Sequence, residues 1–162
     1  MVHGANVKHL IDLPSNFVDF FTAAQERGLN NEVAVCLVSG AVLLAGKKVK
    51  NLDLGGNQGA VAVGECSYHA ISQHGGFGIY FLVKKSRVLL VDTRKQAFYP
   101  SLYVDEFGNE DVGLRRGKPL KLNVERHEEL EGIWRRGDIA REVANRRQRV
   151  SHDTTIIREG YY

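Results

Sequence analysis

The chain has 162 residues, 43% of them apolar and 25% charged, which suits one globular domain and excludes a disordered chain. Its formal charge is only +3, and no apolar run reaches the ~20 residues of a bilayer-spanning helix. Two cysteines are too few for a disulfide framework, and the opening residues lack the basic and apolar regions of a signal peptide, so the expectation is a soluble, intracellular protein.

In chain order, Leu10 to Gly28 reads as a helix entry and one helix, with Pro14 at the start and Gly28 as the stop. Phe17, Phe20, Phe21 and Ala24 recur at helical spacing as one apolar stripe. The β-branched run from Val33 to Val38, a Ser39-Gly40 turn and Ala41 to Ala45 predict two strands. Lys47 to Gly59 is polar and glycine-rich and reads as a loop, and Ala60 to Val63 as a short strand. Gly64 to Gly76 is read as a loop that carries Cys66, His69 and His74.

The strongest β signal follows. Gly78 to Val83, a Lys84-Lys85-Ser86 turn and Arg87 to Asp92 predict a hairpin whose all-apolar arms belong at the centre of a sheet. Gln96 to Tyr99 adds a strand before Pro100, and Ser101 to Leu120 is long, charged and aperiodic. Asn123 caps a helix with Glu125 in its first turn and Leu130, Ile133 and Trp134 on its apolar edge. Gly137 stops that helix and Asp138 caps a second, and the tail from Ser151 holds a short strand over Thr154 to Ile157 or is frayed. The fold class is α+β: a small antiparallel sheet with one N-terminal helix and two C-terminal helices. One domain divides into a tail over 1–9, helix plus sheet over 10–100, a pinned irregular segment over 101–121, and helices with a tail over 122–162.

Eleven basic side chains crowd the region from Arg115 to Arg149, but Glu125, Glu128, Glu129, Glu131, Asp138 and Glu142 are interleaved with them. Mixed signs at helical spacing form a solvated face with i,i+4 pairs, which argues against nucleic acid as the partner. Ser39, Ser67 and Ser72 lack a nucleophile-elbow context, and Cys36 lies in an apolar run where thiols are inert. The metal constellation is Cys36, Cys66, His69 and His74. Zinc takes four tetrahedral thiolate and imidazole ligands, and Cys66-x-x-His69 has the short spacing that presents two of them. The alternative is a metal-free buried cysteine and histidine loop.

In the segment Tyr103-Val-Asp-Glu-Phe-Gly-Asn-Glu-Asp-Val-Gly-Leu-Arg-Arg-Gly-Lys-Pro-Leu120, Arg115 and Arg116 can form bidentate pairs with Asp105, Glu106 or Asp111, while Gly108, Gly113 and Gly117 permit turns. The expected role is to pin the segment on the sheet, with docking of another domain as the alternative. The segment resembles the C-terminal signature of the N-recognins, the UBR-box ubiquitin ligases of the N-degron pathway. Those chains carry a Tyr-Leu-Asp-x-Tyr-Gly-Glu-x-Asp-x-Gly-Leu-Arg-Arg-Gly-x-Pro-Leu run and then a helix with Arg and Trp, matched here by Arg126 and Trp134. Ile11-Asp-Leu-Pro14, Cys36-Leu-Val-Ser-Gly40, Gly64-Glu-Cys-Ser-Tyr-His69 and Gly78-Ile-Tyr-Phe-Leu82 are similar to further motifs of the same domain, so nearly the whole chain is covered.

The resemblance implies a zinc-stabilised cap at the end of a large ligase, with a structural Zn2+ on Cys36, Cys66 and His69. Ser39 and Gln73 stand where the family has further cysteines, so either His74 takes over as a ligand or the fold dispenses with metal. Tyr103, Asp105, Glu106, Gly108, Arg115, Arg116, Gly117 and Pro119 carry over as the structural and docking set. The chain holds neither a UBR box nor a RING, so ligase activity belongs to a RING-type parent. The implied function is a non-catalytic structural and interaction domain supporting ubiquitin-dependent protein degradation. Its partners are then other domains of that parent, with ubiquitin and the E2 reached only through it. The compartment implied is cytoplasmic, with the nucleus as a second. A free-standing protein-binding module of the same fold is the alternative, and a small basic RNA-binding protein a third.

Overall fold

A computed structural model describes residues 9–28, 32–45, 48–53, 60–93, 95–149 and 162. The described residues hold α1 (Phe17–Gly28), β1 (Val33–Cys36), β2 (Val42–Leu44), β3 (Lys48–Asp53), β4 (Ala60–Gly64) and α2 (Glu65–His74). They continue with β5 (Phe77–Leu82), β6 (Arg87–Asp92), β7 (Lys95–Tyr99), β8 (Tyr103–Val104), β9 (Lys121–Leu122), α3 (Val124–Arg136) and α4 (Ile139–Arg149). The order β2-β1-β5-β6-β7 makes one antiparallel sheet, with β3-β4 and β8-β9 as two smaller pairs. This is the α+β architecture expected, with one helix before the sheet and two after it.

The hairpin arms β5 and β6 occupy the sheet centre because they have no polar face to offer water. Ile79 through Leu82 and Val88 through Val91 are all buried. The pleat separates them into two sets. Register places Val35, Phe81, Val88 and Tyr99 on one side. There Phe81 meets Phe17 and Phe20 of α1 at ring separations of 6.4 and 5.1 Å, and Arg146 of α4 lies over Tyr99. Cys36, Tyr80, Leu89 and Phe98 share the other side, where Tyr80 meets His69 of α2.

Three expectations change. The helix begins at Phe17 rather than near Pro14, because Asn16 is bridged to Lys121 and the Ser15 carbonyl accepts from Leu122 N–H. Lys48–Asp53, expected as loop, is a strand paired with Ala60–Gly64 across a register shift between Lys48 and Lys50. Glu65–His74, also expected as loop, is a helix ended by Gly75 in the left-handed conformation. The rest of the polar stretch, the tail over 1–8 and the candidate strand over Thr154 to Ile157 lie outside the described residues.

At the C-terminal end the Asn123 and Gly137 signals hold, while the Asp138 carboxylate expected to cap α4 points elsewhere. The Asn123 side chain accepts from Arg126 N–H and Gly137 closes α3. The Asp138 carboxylate turns to Arg136 at 3.1 Å, while its carbonyl accepts from Glu142 N–H. Glu131–Arg135 and Glu142–Arg146 form the expected i,i+4 pairs. Among the described residues no helix is long and apolar enough to cross a membrane.

Candidate functional site

The segment from Ser101 to Lys121 is held at both ends and in the middle. Tyr103 inserts its ring among Phe17, Phe20 and Phe81, with centroids 5.2 to 5.7 Å away. Its hydroxyl donates to the Pro14 carbonyl at 2.8 Å, which ties the chain before α1 to the segment. The Ser101 carbonyl accepts from the Arg126 guanidinium at 2.6 Å, and Ser101 Oγ lies 3.0 Å from Ser86 Oγ in the hairpin turn. Gly113 N–H donates to the Lys85 carbonyl of the same turn.

Two buried carboxylates organise what lies between. Asp105 Oδ1 accepts from the backbone N–H groups of Phe107 and Asn109, both at 2.9 Å. Asp111 accepts from Arg115 and Arg116 N–H at 3.0 to 3.2 Å. The Arg116 guanidinium spans both, 3.3 Å from Asp105 Oδ2 and 3.7 Å from Asp111 Oδ1, and also donates to the Glu110 carbonyl. Its approach to Asp105 is an ion contact off hydrogen-bond alignment. Asn109 N–H, then Phe107 N–H and the Arg116 and Lys118 charges, hold the Asp105 carboxyl below its ordinary range against the opposing effect of burial.

Gly108, Gly113 and Gly117 all have φ between +69° and +82°, where an L side chain is strained. Leu114 accepts the same conformation at φ 58° and is fixed there by its N–H bond to the Asp111 carbonyl.

The two arginines therefore have different fates. Arg116 is consumed inside the segment. Arg115 is exposed and makes no ion pair among the described residues. Glu106, next to Asp105 in sequence, is exposed and takes no part in the clamp. Glu106, Lys118 and Pro119 line a surface cavity of about 510 Å³ with Asp105 and Lys121. Pro119 also borders an apolar groove of about 370 Å³ against Phe17, Val18 and Phe21 of α1.

The second site is built where β1 meets the end of α2. Cys36, His69 and His74 present ligand atoms within 4.8 Å of one another. Cys36 Sγ lies 3.7 Å from His74 Nε2, and the two imidazole rings are edge to face at 5.0 Å. His69 Nδ1 is 2.9 Å from the Tyr80 hydroxyl, and the Trp134 ring of α3 stands edge-on to His74. His74 Nδ1 is buried without a hydrogen-bond partner. Burial lowers the pKa of both histidines, aided at His69 by His74, and so favours the neutral imidazoles that bind metals.

Cys66 is outside this group. It is fully buried one turn nearer the start of α2, and burial, followed by Cys36 and Glu65, pushes its thiol pKa well up. A Cys-x-x-His pair on a helix is separated by ~4.5 Å along the axis, and Cys36 approaches the far end at His74. Ser39, in the place of a second cysteine, reaches Cys36 only through its N–H, 3.4 Å from Sγ. Both cysteines are free thiols.

Gly78 is required by this arrangement. A Cβ there would meet the Tyr80 ring at 2.5 to 2.9 Å, so any larger residue would displace the ring that holds His69. The glycine was legible as a motif position, but its reason is visible only once the ring is seen lying over it.

The family model described as Proteolysis_6 C-terminal matches residues 1–136. The E3 ubiquitin-protein ligase ubr-1 of Caenorhabditis elegans is 32% identical over 150 residues, which cover 84% of this chain and 7% of that protein. The E3 ubiquitin-protein ligase UBR2 of Mus musculus is 33% identical over 150 residues, 88% of this chain and 8% of that protein. For the E3 ubiquitin-protein ligase UBR1 of Homo sapiens the figures are 32% over 143 residues, 83% of this chain and 8% of that protein. The chain thus spans less than a tenth of the length of these curated relatives.

Proposed function

We infer that this chain, which belongs to the Proteolysis_6 C-terminal family, is a non-catalytic structural and interaction domain of an N-degron-pathway E3 ubiquitin ligase. In that role it supports ubiquitin-dependent protein degradation through a parent that carries the ligase machinery. The observation that carries the reading is the fate of the signature segment. Its buried carboxylates hold the Arg116 guanidinium between them and bind the segment's own backbone. A charge spent on holding architecture is not available to polarise a substrate.

The partners are other domains of the same ligase. Lys118 and Pro119 stay exposed at the apolar groove against α1, the combination of anchor surface and charged rim that a domain interface uses. The test of the non-catalytic reading is direct. Purified chain added to E1, a charged E2 and ubiquitin should not accelerate discharge of the E2. Acceleration that survives removal of contaminating ligases overturns it.

Zinc is the cofactor we assign here, with Cys36, His69 and His74 as three of the four ligands that a structural site needs. Zinc bond lengths of about 2.3 Å to sulfur and 2.0–2.1 Å to nitrogen at a tetrahedral angle put the two donors ~3.6 Å apart. The Cys36–His74 separation of 3.7 Å fits that value. The Tyr80 hydroxyl at His69 Nδ1 is the kind of second partner that orients a ligating imidazole. When bound, the ion would tie β1 to the end of α2. Elemental analysis of the purified chain checks the assignment, and a metal-free protein with an unchanged melt in chelator contradicts it.

A further inference from the structure

The first turn of α2 has an orphan donor with an unusual solution. The helix opens at Gly64, which offers no side-chain cap. Helix starts leave their first N–H groups unpaired, and a Ser, Thr, Asp or Asn normally serves them. Here the Ser67 N–H donates instead to the carbonyl oxygen of Tyr162 at 2.7 Å.

The rest of Tyr162 is held as closely. The residue is 2% exposed. The ring stands edge to face with Phe98 of β7 at 6.2 Å and 75°. Lys85, from the turn between β5 and β6, donates to the phenol oxygen at 2.6 Å, its ammonium 5.3 Å from the ring centroid. Gln96 donates to the Ser67 hydroxyl at 2.7 Å and fixes the floor beneath the carbonyl contact. Backbone, ring and hydroxyl are thus each met by a different element.

We propose that Ser67, Lys85 and Phe98 form a socket for a tyrosine carried on a peptide segment, filled in this chain by its own Tyr162. The ligand class is a peptide whose tyrosine presents ring and hydroxyl to Phe98 and Lys85 while its carbonyl oxygen caps α2. The Lys85 contact selects tyrosine over phenylalanine, because a site built to bond a hydroxyl rejects the analogue that lacks it far more strongly than a hydrophobic slot does. Tethering explains why the chain's own residue wins. A covalently linked ligand acts at an effective concentration of order millimolar, so modest intrinsic affinity suffices.

The experiment uses the full chain with Tyr162→Ala and a fluorescent peptide of residues 153–162. The peptide should bind this variant saturably and at least tenfold more tightly than it binds the wild type, whose socket is occupied. Replacing the peptide's last tyrosine by phenylalanine should weaken binding about tenfold or more, and adding Lys85→Met to the variant should do the same. Equal binding to wild type and variant overturns the proposal, as does absent binding to a variant that still melts cooperatively. Should Tyr162→Ala not fold alone, refolding with the peptide should restore the cooperative melt, and failure to restore it overturns the proposal too.

Discussion

The Asp105–Asp111–Arg116 clamp and the Cys36–His69–His74 cluster are both polar constructions, and they differ in what they leave over. The clamp is nearly closed. Its carboxylates take backbone N–H groups of the segment they organise, and Arg116 supplies the countercharge. The cluster is open. The Cys36 thiol meets only weak contacts, from Ser39 N–H and His74 Nε2, and the other nitrogen of that ring, Nδ1, has no hydrogen-bond partner. Carboxylates that pair with a cation and with backbone N–H groups hold a shape, whereas a thiol and two imidazoles grouped without a countercharge do little to hold one.

The largest effect expected from breaking this contrast is at the cluster. With zinc bound, Cys36→Ser or His74→Ala should unfold the domain or cost several kcal/mol, read by calorimetry, with loss of the metal by elemental analysis. Tyr80→Phe should keep the fold but weaken metal retention roughly 10-fold or more, since it removes the hydroxyl partner of His69. Next is the clamp itself. Asp111→Ala strands the Arg115 and Arg116 N–H groups and should cost ~1–3 kcal/mol in denaturant unfolding with an unchanged slope.

The smallest effect is with pH. Folding lowers the Asp105 pKa, so the unfolded chain takes up the proton first as the solution is acidified. The contribution is complete above the ordinary aspartate value of 3.8 and fades as pH falls through the lower folded value. The gap between the melting temperatures of wild type and Asp105→Asn should therefore close on acidification across that range. A constant gap would mean that the carboxylate charge is not what the segment uses.

Much of the frame was legible because local signals and tertiary demands agree. The Phe17, Phe20, Ala24 stripe, the all-apolar hairpin and the Asn123 and Gly137 caps each name their own element. Glu65–His74 was not legible as a helix. Cysteine, serine and histidine are weak helix formers, and its start is capped from the far side of the chain by Tyr162. Lys48–Asp53 hid for another reason: the register shift after Lys48 breaks the alternation that marks a strand.

The candidate sites followed the same logic. Cys36, His69 and His74 were nameable by chemistry, but their meeting depends on β1 pairing with β5 and on α2 being helical. The sequence places Arg115 and Arg116 side by side and cannot separate them. Only the turns at Gly113 and Gly117 decide which one folds back onto the carboxylates.

That division of labour is the centre of the account, and paired calorimetric melts of Arg115→Ala and Arg116→Ala test it most directly. Arg116→Ala should lose ~1–2 kcal/mol of stability, because its removal leaves two carboxylates without their cation. Arg115→Ala should stay within ~0.5 kcal/mol of wild type, as exposed substitutions do. Two variants that both melt like the wild type, or a loss confined to Arg115→Ala, would contradict it.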